Sequence, residues 1–230
     1  MAELHPIGSL SAELFTGSPC VIAHVDWQDS LSLAGQGLLT AAEQARMAAF
    51  RVDPARKSFV LGRSILRHGL ALATGAKASG ITVSIEPTNR PVAPETAWHF
   101  SITHSGPWVA VAFSRWKIGC DLEIGGNLRS TDLAGLARQV FCPLEIDRLA
   151  ALAAQPEDQR AFFLNVWRRK EAVLKATGLG MAGSPRRLCV VTADGMAQRV
   201  THASRTYRLT ELHGPGVPVL ALASAQPDRI

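Results

Sequence analysis

Ile118-Gly119-Cys120-Asp121-Leu122-Glu123-Ile124 is the stretch on which the reading of this chain turns. Apolar residues at 118, 120, 122 and 124 alternate with Gly119, Asp121 and Glu123, the pattern of a strand. Alternation puts the two carboxylates on one face. A second stretch, Trp167-Arg168-Arg169-Lys170-Glu171-Ala172-Val173-Leu174-Lys175, reads as a helix. Four-residue spacing there sets Glu171 and Lys175 one above the other. Three carboxylates and a lysine are the groups needed to hold a divalent metal against a phosphate. Oxygen donors suit a hard ion such as Mg2+, commonly held by one or two carboxylates together with substrate phosphate. Taken singly, each feature has a plainer reading: an exposed acidic strand face, and a surface ion pair between Glu171 and Lys175.

The bulk composition narrows the classes. The chain has 230 residues, 47% of them hydrophobic, enough for a substantial core in one domain or two small ones. No run of ~18 or more apolar residues occurs, so no membrane span is expected. The N-terminus lacks a basic region followed by an apolar stretch, so no secretory leader is expected and the cytoplasm is the expected compartment. Cys20, Cys120, Cys142 and Cys189 are scattered without metal-knuckle or redox-motif spacing, and are read as buried free thiols. The net charge of +5 suits a phosphate-rich ligand or an acidic protein partner. With no dense Lys/Arg block and no aromatic interleaving, nucleic acid is not expected.

Around these stretches the expected elements alternate. Val21 to Trp27 reads as a strand. Leu38 to Phe50 reads as a helix with Thr40 and Glu43 as a capping box. Asp53 as N-cap and Pro54 at the first position open a long helix ending at Gly75. Arg56, Arg63 and Arg67 form a stripe on it, equally readable as a solvated face or a phosphate-facing one. Strands follow at Ile81 to Glu86, Trp98 to Thr103 and Val109 to Phe113. Ser130 or Thr131 is read as capping a helix through Val140, and Pro143 as opening another through Leu152. A long helix over roughly 157 to 177 ends at Gly178. Leu133, Leu136 and Val140 are a candidate apolar docking patch, core packing being the plainer reading. Strands near Leu188 to Thr192, Tyr207 to Leu212 and Val219 to Ser224 complete the chain, with Asp194-Gly195 as a reversal signal. Residues 1 to 20 read as irregular.

His104 to Ser114 echoes His213 to Ser224 with one inserted residue. The fold class expected is therefore α+β: two similar halves in pseudo-twofold arrangement, each a long helix packed on a small, mainly antiparallel sheet. The halves are residues 1–116 and 117–230. Asp121 and Glu123 fall just past the join, where ligand clefts commonly form.

These residues resemble the 4′-phosphopantetheinyl transferases. Trp167 to Lys175 is similar to their W-x-x-K-E-[AS]-x-x-K signature, and Ile118 to Glu123 to their [IV]-G-x-D-x-E motif. Phe100-Ser101-Ile102-Thr103-His104-Ser105-Gly106 resembles F-N-[IV]-S-H-S-G, and Asn89-Arg90-Pro91 the G-K/R-P before it. Order and rough spacing match from about Ala41 to Lys175. The type resembled is the surfactin-synthetase-activating one, with two halves in one chain. The resemblance implies transfer of the 4′-phosphopantetheine arm of coenzyme A to a serine of an apo acyl or peptidyl carrier protein. Adenosine 3′,5′-bisphosphate is released. It implies Asp121, Glu123 and Glu171 as ligands of Mg2+ (or Mn2+), with Glu171 also the general base and Lys175 stabilising the transferring phosphate. Thr103, His104, Arg90 and Arg46 match coenzyme-contacting positions; a guanidinium can grip a phosphate with two parallel bonds. The implied carrier is acidic around its serine, and the implied enzyme a monomer. Thr103 stands where serine is usual, Cys120 where a branched apolar residue is usual, and Glu43 where some relatives carry a coenzyme-binding lysine. The alternatives are a non-catalytic coenzyme- or carrier-binding relative and a metal-dependent phosphohydrolase.

Overall fold

The computed structural model describes residues 2–34, 37–125 and 130–225. The protein is a mixture of helices and small sheets, in two compact units. One comprises residues 1–116 with 213–218, the other 117–212 with 219–230.

In the first unit, β1 (Leu4–Pro6), β2 (Cys20–His24), β5 (His99–Ser105) and β6 (Trp108–Ser114) form a four-stranded sheet in the order β1-β2-β6-β5. Only the β1–β2 pairing is parallel. Two short strands, β3 (Ser84–Ile85) and β4 (Pro91–Val92), form a separate pair, so the strand expected over Ile81 to Glu86 is reduced to two residues. The helices are α1 (Gln28–Ala34), α2 (Ala41–Ala48) and α3 (Asp53–Thr74). The expected capping box closes on α2: the Glu43 N–H donates to Thr40 Oγ1, and the Thr40 N–H donates to Glu43 Oε2 at 3.0 Å. Asp53 does not cap α3. Val52 is the N-cap, and Asp53, already helical, pairs with Arg56 at 2.8 Å. Leu61, Ile65, Leu66 and Leu70 lie on the face of α3 buried in this unit's core with Val111 and Phe113 of β6. Each fully buried side chain contributes about 1.5–3 kcal/mol.

The second unit opens with β7 (Ile118–Leu122), followed by α4 (Ser130–Val140), α5 (Pro143–Ala151) and α6 (Pro156–Thr177). Then come the two-residue hairpin β8 (Val191–Thr192) and β9 (Gly195–Met196), β10 (Arg199–His202), β11 (Arg205–Leu212) and β12 (Leu220–Ser224). The sheet order is β10-β11-β12-β7, antiparallel throughout. The side chains of Ser130 and Thr131, read as a cap of α4, lie outside the described residues. Helix α6 packs on β7 and β12. Gly178, at φ 78°, ends it in the left-handed conformation that glycine adopts without steric cost.

Leu133 and Val140 are buried in this unit's core, which corrects their reading as a docking patch; of the three, Leu136 alone is exposed. The apolar spacing of α4 serves packing. Cys142 and Cys189 are joined in a disulfide, with Cα atoms 5.6 Å apart, which corrects the reading of four free thiols. Forty-seven residues separate the pair, so no local spacing announces it. Cys20 and Cys120 are buried and take no part in the disulfide. No helix among the described residues is long and apolar enough to cross a membrane.

Candidate active site

β7 is buried on both faces. Ile118, Cys120 and Leu122 point one way; Gly119 and Asp121 point the other, toward α6. Gly119 makes this possible. A Cβ there would sit 1.9 Å from the Ala172 carbonyl oxygen and 2.5 Å from the Ala176 nitrogen, so only glycine lets the strand press its backbone against the helix. Two residues on, the same face presents Asp121, and Lys175 Nζ donates to its Oδ1 at 2.6 Å. Asp121 is 4% exposed. Strand pleat, helical spacing and one missing Cβ therefore bring together residues 54 positions apart.

Glu171 lies one helical turn before Lys175. Burial pushes its carboxyl above the usual range; Lys175 pulls it down, and Asp121 and Glu123 push it up again. Burial lowers Lys175, but Asp121 and then Glu171 are among the charges that outweigh it and hold the ammonium above the ordinary lysine value. Glu171 thus feels two further carboxylates and one ammonium, an arrangement that a bound cation relieves. The donors are all oxygen, which fits Mg2+ or Mn2+.

The one group of three donor atoms within 4.8 Å found among the described residues lies elsewhere: Cys142, Glu145 and Cys189. Its carboxylate is already occupied. Glu145 Oε1 accepts the Val190 N–H, and Oε2 accepts the Cys142 N–H and pairs with Lys170 Nζ at 2.7 Å. Lys170 and Glu145 are both 0% exposed, and Lys170 also donates to the carbonyls of Pro185 and Leu188. A cation has no place beside that ammonium. Lys170 is a structural residue within the motif, for which the sequence pattern suggests no role.

The remaining candidates belong to the first unit. Thr103 is buried and His104 exposed at consecutive positions of β5, paired with Ala110 and Val109 of β6. Arg90 immediately precedes β4, and its carbonyl accepts the Glu86 N–H at 2.8 Å. Arg46, on α2, stacks its guanidinium 5.5 Å from the Phe59 ring centre. The Arg63–Arg67 stripe is not a solvated face: both side chains are buried around Glu43, with Arg63 Nε at 3.2 Å and Arg67 Nη2 at 2.8 Å from its oxygens. Burial lowers the Arg63 pKa, Glu43 opposes this, and Arg46 and Arg67 lower it further. Glu43, the departure from the family pattern, is what neutralises this cluster in part. Arg56 is separate, bound to Asp53.

Residues 117–222 match the family model described as the 4′-phosphopantetheinyl transferase superfamily, the segment holding β7, α6 and the carboxylates. This segment is therefore similar to that superfamily. Among curated relatives, the chain is 36% identical over 152 residues to the 4′-phosphopantetheinyl transferase HetI of Nostoc sp. (strain PCC 7120), covering 63% of this chain and 61% of that one. It is 33% identical over 144 residues to 4′-phosphopantetheinyl transferase psf-1 of Bacillus pumilus, covering 62% and 57%. To 4′-phosphopantetheinyl transferase Sfp of Bacillus subtilis (strain 168) it is 30% identical over 124 residues, covering 54% and 53%. The matches thus span between 53% and 61% of these relatives' lengths.

Proposed function

We propose that this protein transfers the 4′-phosphopantetheine arm of coenzyme A to a serine of an apo acyl or peptidyl carrier protein. The observation that carries the reading is the Asp121–Lys175 contact, with Glu171 one turn away, inside the segment that matches the superfamily model. Asp121, Glu123 and Glu171 would hold Mg2+ or Mn2+. A bound divalent ion would neutralise charge on the coenzyme's diphosphate. Glu171, which must be ionised for either role, takes the proton from the serine hydroxyl. The serine oxygen bonds to the phosphorus bearing the pantetheine arm, the diphosphate P–O bond breaks, and adenosine 3′,5′-bisphosphate departs. Lys175, held positive, stabilises charge on the transferring phosphate.

Arg46, Arg90, Thr103 and His104 are proposed coenzyme contacts on motif resemblance. The net charge of +5 supports an acidic carrier surface, and carrier affinity that falls with rising salt is the expected signature. A pseudo-twofold relation of two halves is part of the same proposal. Its support is that each unit has a 22-residue helix and a four-stranded sheet, and that each copy of the sequence echo ends in an interior strand, β6 or β12. A monomeric, cytoplasmic enzyme completes the reading.

The test is incubation with coenzyme A, Mg2+ and an apo carrier, followed by mass spectrometry of the carrier. A gain of one phosphopantetheine mass, dependent on metal and on the carrier serine, is expected. No gain with fatty-acid, polyketide or nonribosomal-peptide carriers, while coenzyme A still binds, would reassign the protein as a non-catalytic relative. Coenzyme A hydrolysis without a carrier would instead indicate a phosphohydrolase.

A further inference from the structure

One cation near the carboxylates has no place in the family resemblance. Arg168 stands one turn before Glu171 on α6. Across the sheet, Glu211 of β11 pairs with Ala221 of β12, and Ala221 with Asp121 of β7. Directly paired residues share a face, so Glu211 and Asp121 both face the helix, two strand spacings or about 10 Å apart. Between them stands an alanine, too short to fill the gap. Arg168 reaches toward this row, with Nη2 3.7 Å from Glu211 Oε1. That is an ion pair without a hydrogen bond, and Arg168 Nε is buried without a hydrogen-bond partner. Glu211 itself is pinned from the other side: its Oε2 lies 3.4 Å from Arg169, which is anchored by Asn165 at 2.7 Å and the Ala197 carbonyl at 3.0 Å.

The guanidinium of Arg168 is therefore held by charge, not by directed bonds. Burial lowers its pKa; Glu211 and then Asp121 oppose this, Arg169 adds to the lowering, and Glu123 opposes it. The same guanidinium thus feels the acid that anchors it and two of the acids read as metal ligands.

We propose that Arg168 is the resident counter-charge of the carboxylate site, a positioning residue that Glu211 draws away from Asp121 and Glu123 and that thereby sets how tightly the site takes a divalent cation. The proposal rests on reading Asp121, Glu123 and Glu171 as the cation-binding carboxylates. The two partners then act in opposite senses. Removing Arg168 removes a positive charge that repels the incoming ion. Removing the charge of Glu211 lets Arg168 lean toward Asp121 and Glu123 and compete with the ion. A pair that merely fastens α6 to the sheet would show the same sense for both.

The experiment is calorimetric titration of the full chain with Mn2+ alone, without coenzyme or carrier, at one pH and ionic strength, with a thermal melt of each variant. Arg168→Gln is expected to tighten the Mn2+ dissociation constant about fivefold, the order of a unit charge acting on a divalent ion across several ångströms of a wet, partly buried site. Glu211→Gln is expected to weaken it by a similar factor, and Arg168→Lys to restore nearly the original value. Asp121→Ala is the reference and is expected to abolish binding. If Asp121→Ala binds Mn2+ normally, the reading of the carboxylates fails and takes this inference with it. If Asp121→Ala loses binding while Arg168→Gln binds unchanged or more weakly, the counter-charge role alone is overturned. Arg168→Gln decides between these outcomes even where Glu211→Gln proves unstable.

Discussion

Lys170 and Lys175 share one helix and one short motif, and each pairs with a carboxylate, yet their surroundings shift them in opposite directions. Lys170 is 0% exposed, pairs with an equally buried Glu145, and donates to two carbonyls as well. Burial lowers its pKa, and Glu145 opposes the fall. Its three protons are committed to one geometry. Lys175 is 31% exposed at the side chain, donates to Asp121, and lies among acids that hold its charge. The five-residue step between them rotates the side chain by about 140° around the helix axis. One rotation separates a buried brace from a charge at the candidate site. A sequence motif therefore mixes a residue placed at the candidate site with one buried as a brace, and burial separates them.

The contrast can be broken most sharply at the site itself. Asp121→Ala is expected to abolish phosphopantetheine transfer, and Glu171→Gln to reduce it by more than about 100-fold, with melting temperatures near that of the unaltered protein. Carrier mass spectrometry beside thermal melts checks this; full activity in both variants would sink the site assignment. Lys170→Met should do the reverse, destabilising the fold by about 3–5 kcal/mol because Glu145 is left charged and buried without its partner. Urea melts would show it, and adding Glu145→Leu should recover most of the loss. If Lys170→Met melts normally, the brace is not one.

Gly119→Ala tests the link between the two roles. Its new Cβ meets the Ala172 carbonyl at 1.9 Å, so strand or helix must move. A cost of about 1–3 kcal/mol is expected, with turnover falling on the order of 100-fold as Asp121 is carried off Lys175. The smallest effect is expected in the first unit. Burial pulls Glu43 up, but the Thr40 N–H, Arg67 and Arg63 together hold it below its ordinary value of 4.5. A depressed acid contributes stability above its unfolded pKa and loses it as pH falls through the folded one. Glu43→Gln should cost about 1–3 kcal/mol near neutral pH and flatten that acid loss, as urea melts from about pH 7 to 3 would record.

The helices were largely legible because their ends are written locally. Thr40 and Glu43 announce α2, Pro54 and Gly75 bracket α3, and Pro156 and Gly178 bracket α6. The β10–β11 hairpin is only half legible in the sequence, since Ala203 and Ser204 turn it at φ 47° and 60° without the glycine or asparagine that usually marks such a turn. The β1 strand, three residues long and parallel to β2, has too few residues to show a period.

Sequence alone determined the motif residues Asp121, Glu123, Glu171 and Lys175, because strand and helix periods are local and put a lysine one turn from a glutamate, although β7 ends at Leu122 and Glu123 lies past the expected strand. Tertiary structure decided which of them meet. It set Asp121 against Lys175 through the backbone approach at Gly119, buried Lys170 beside Glu145, joined Cys142 to Cys189, and drew Arg63 and Arg67 around Glu43. Each of these depends on partners brought together by packing, and burial is what turns an ordinary charge into either a brace or a reagent.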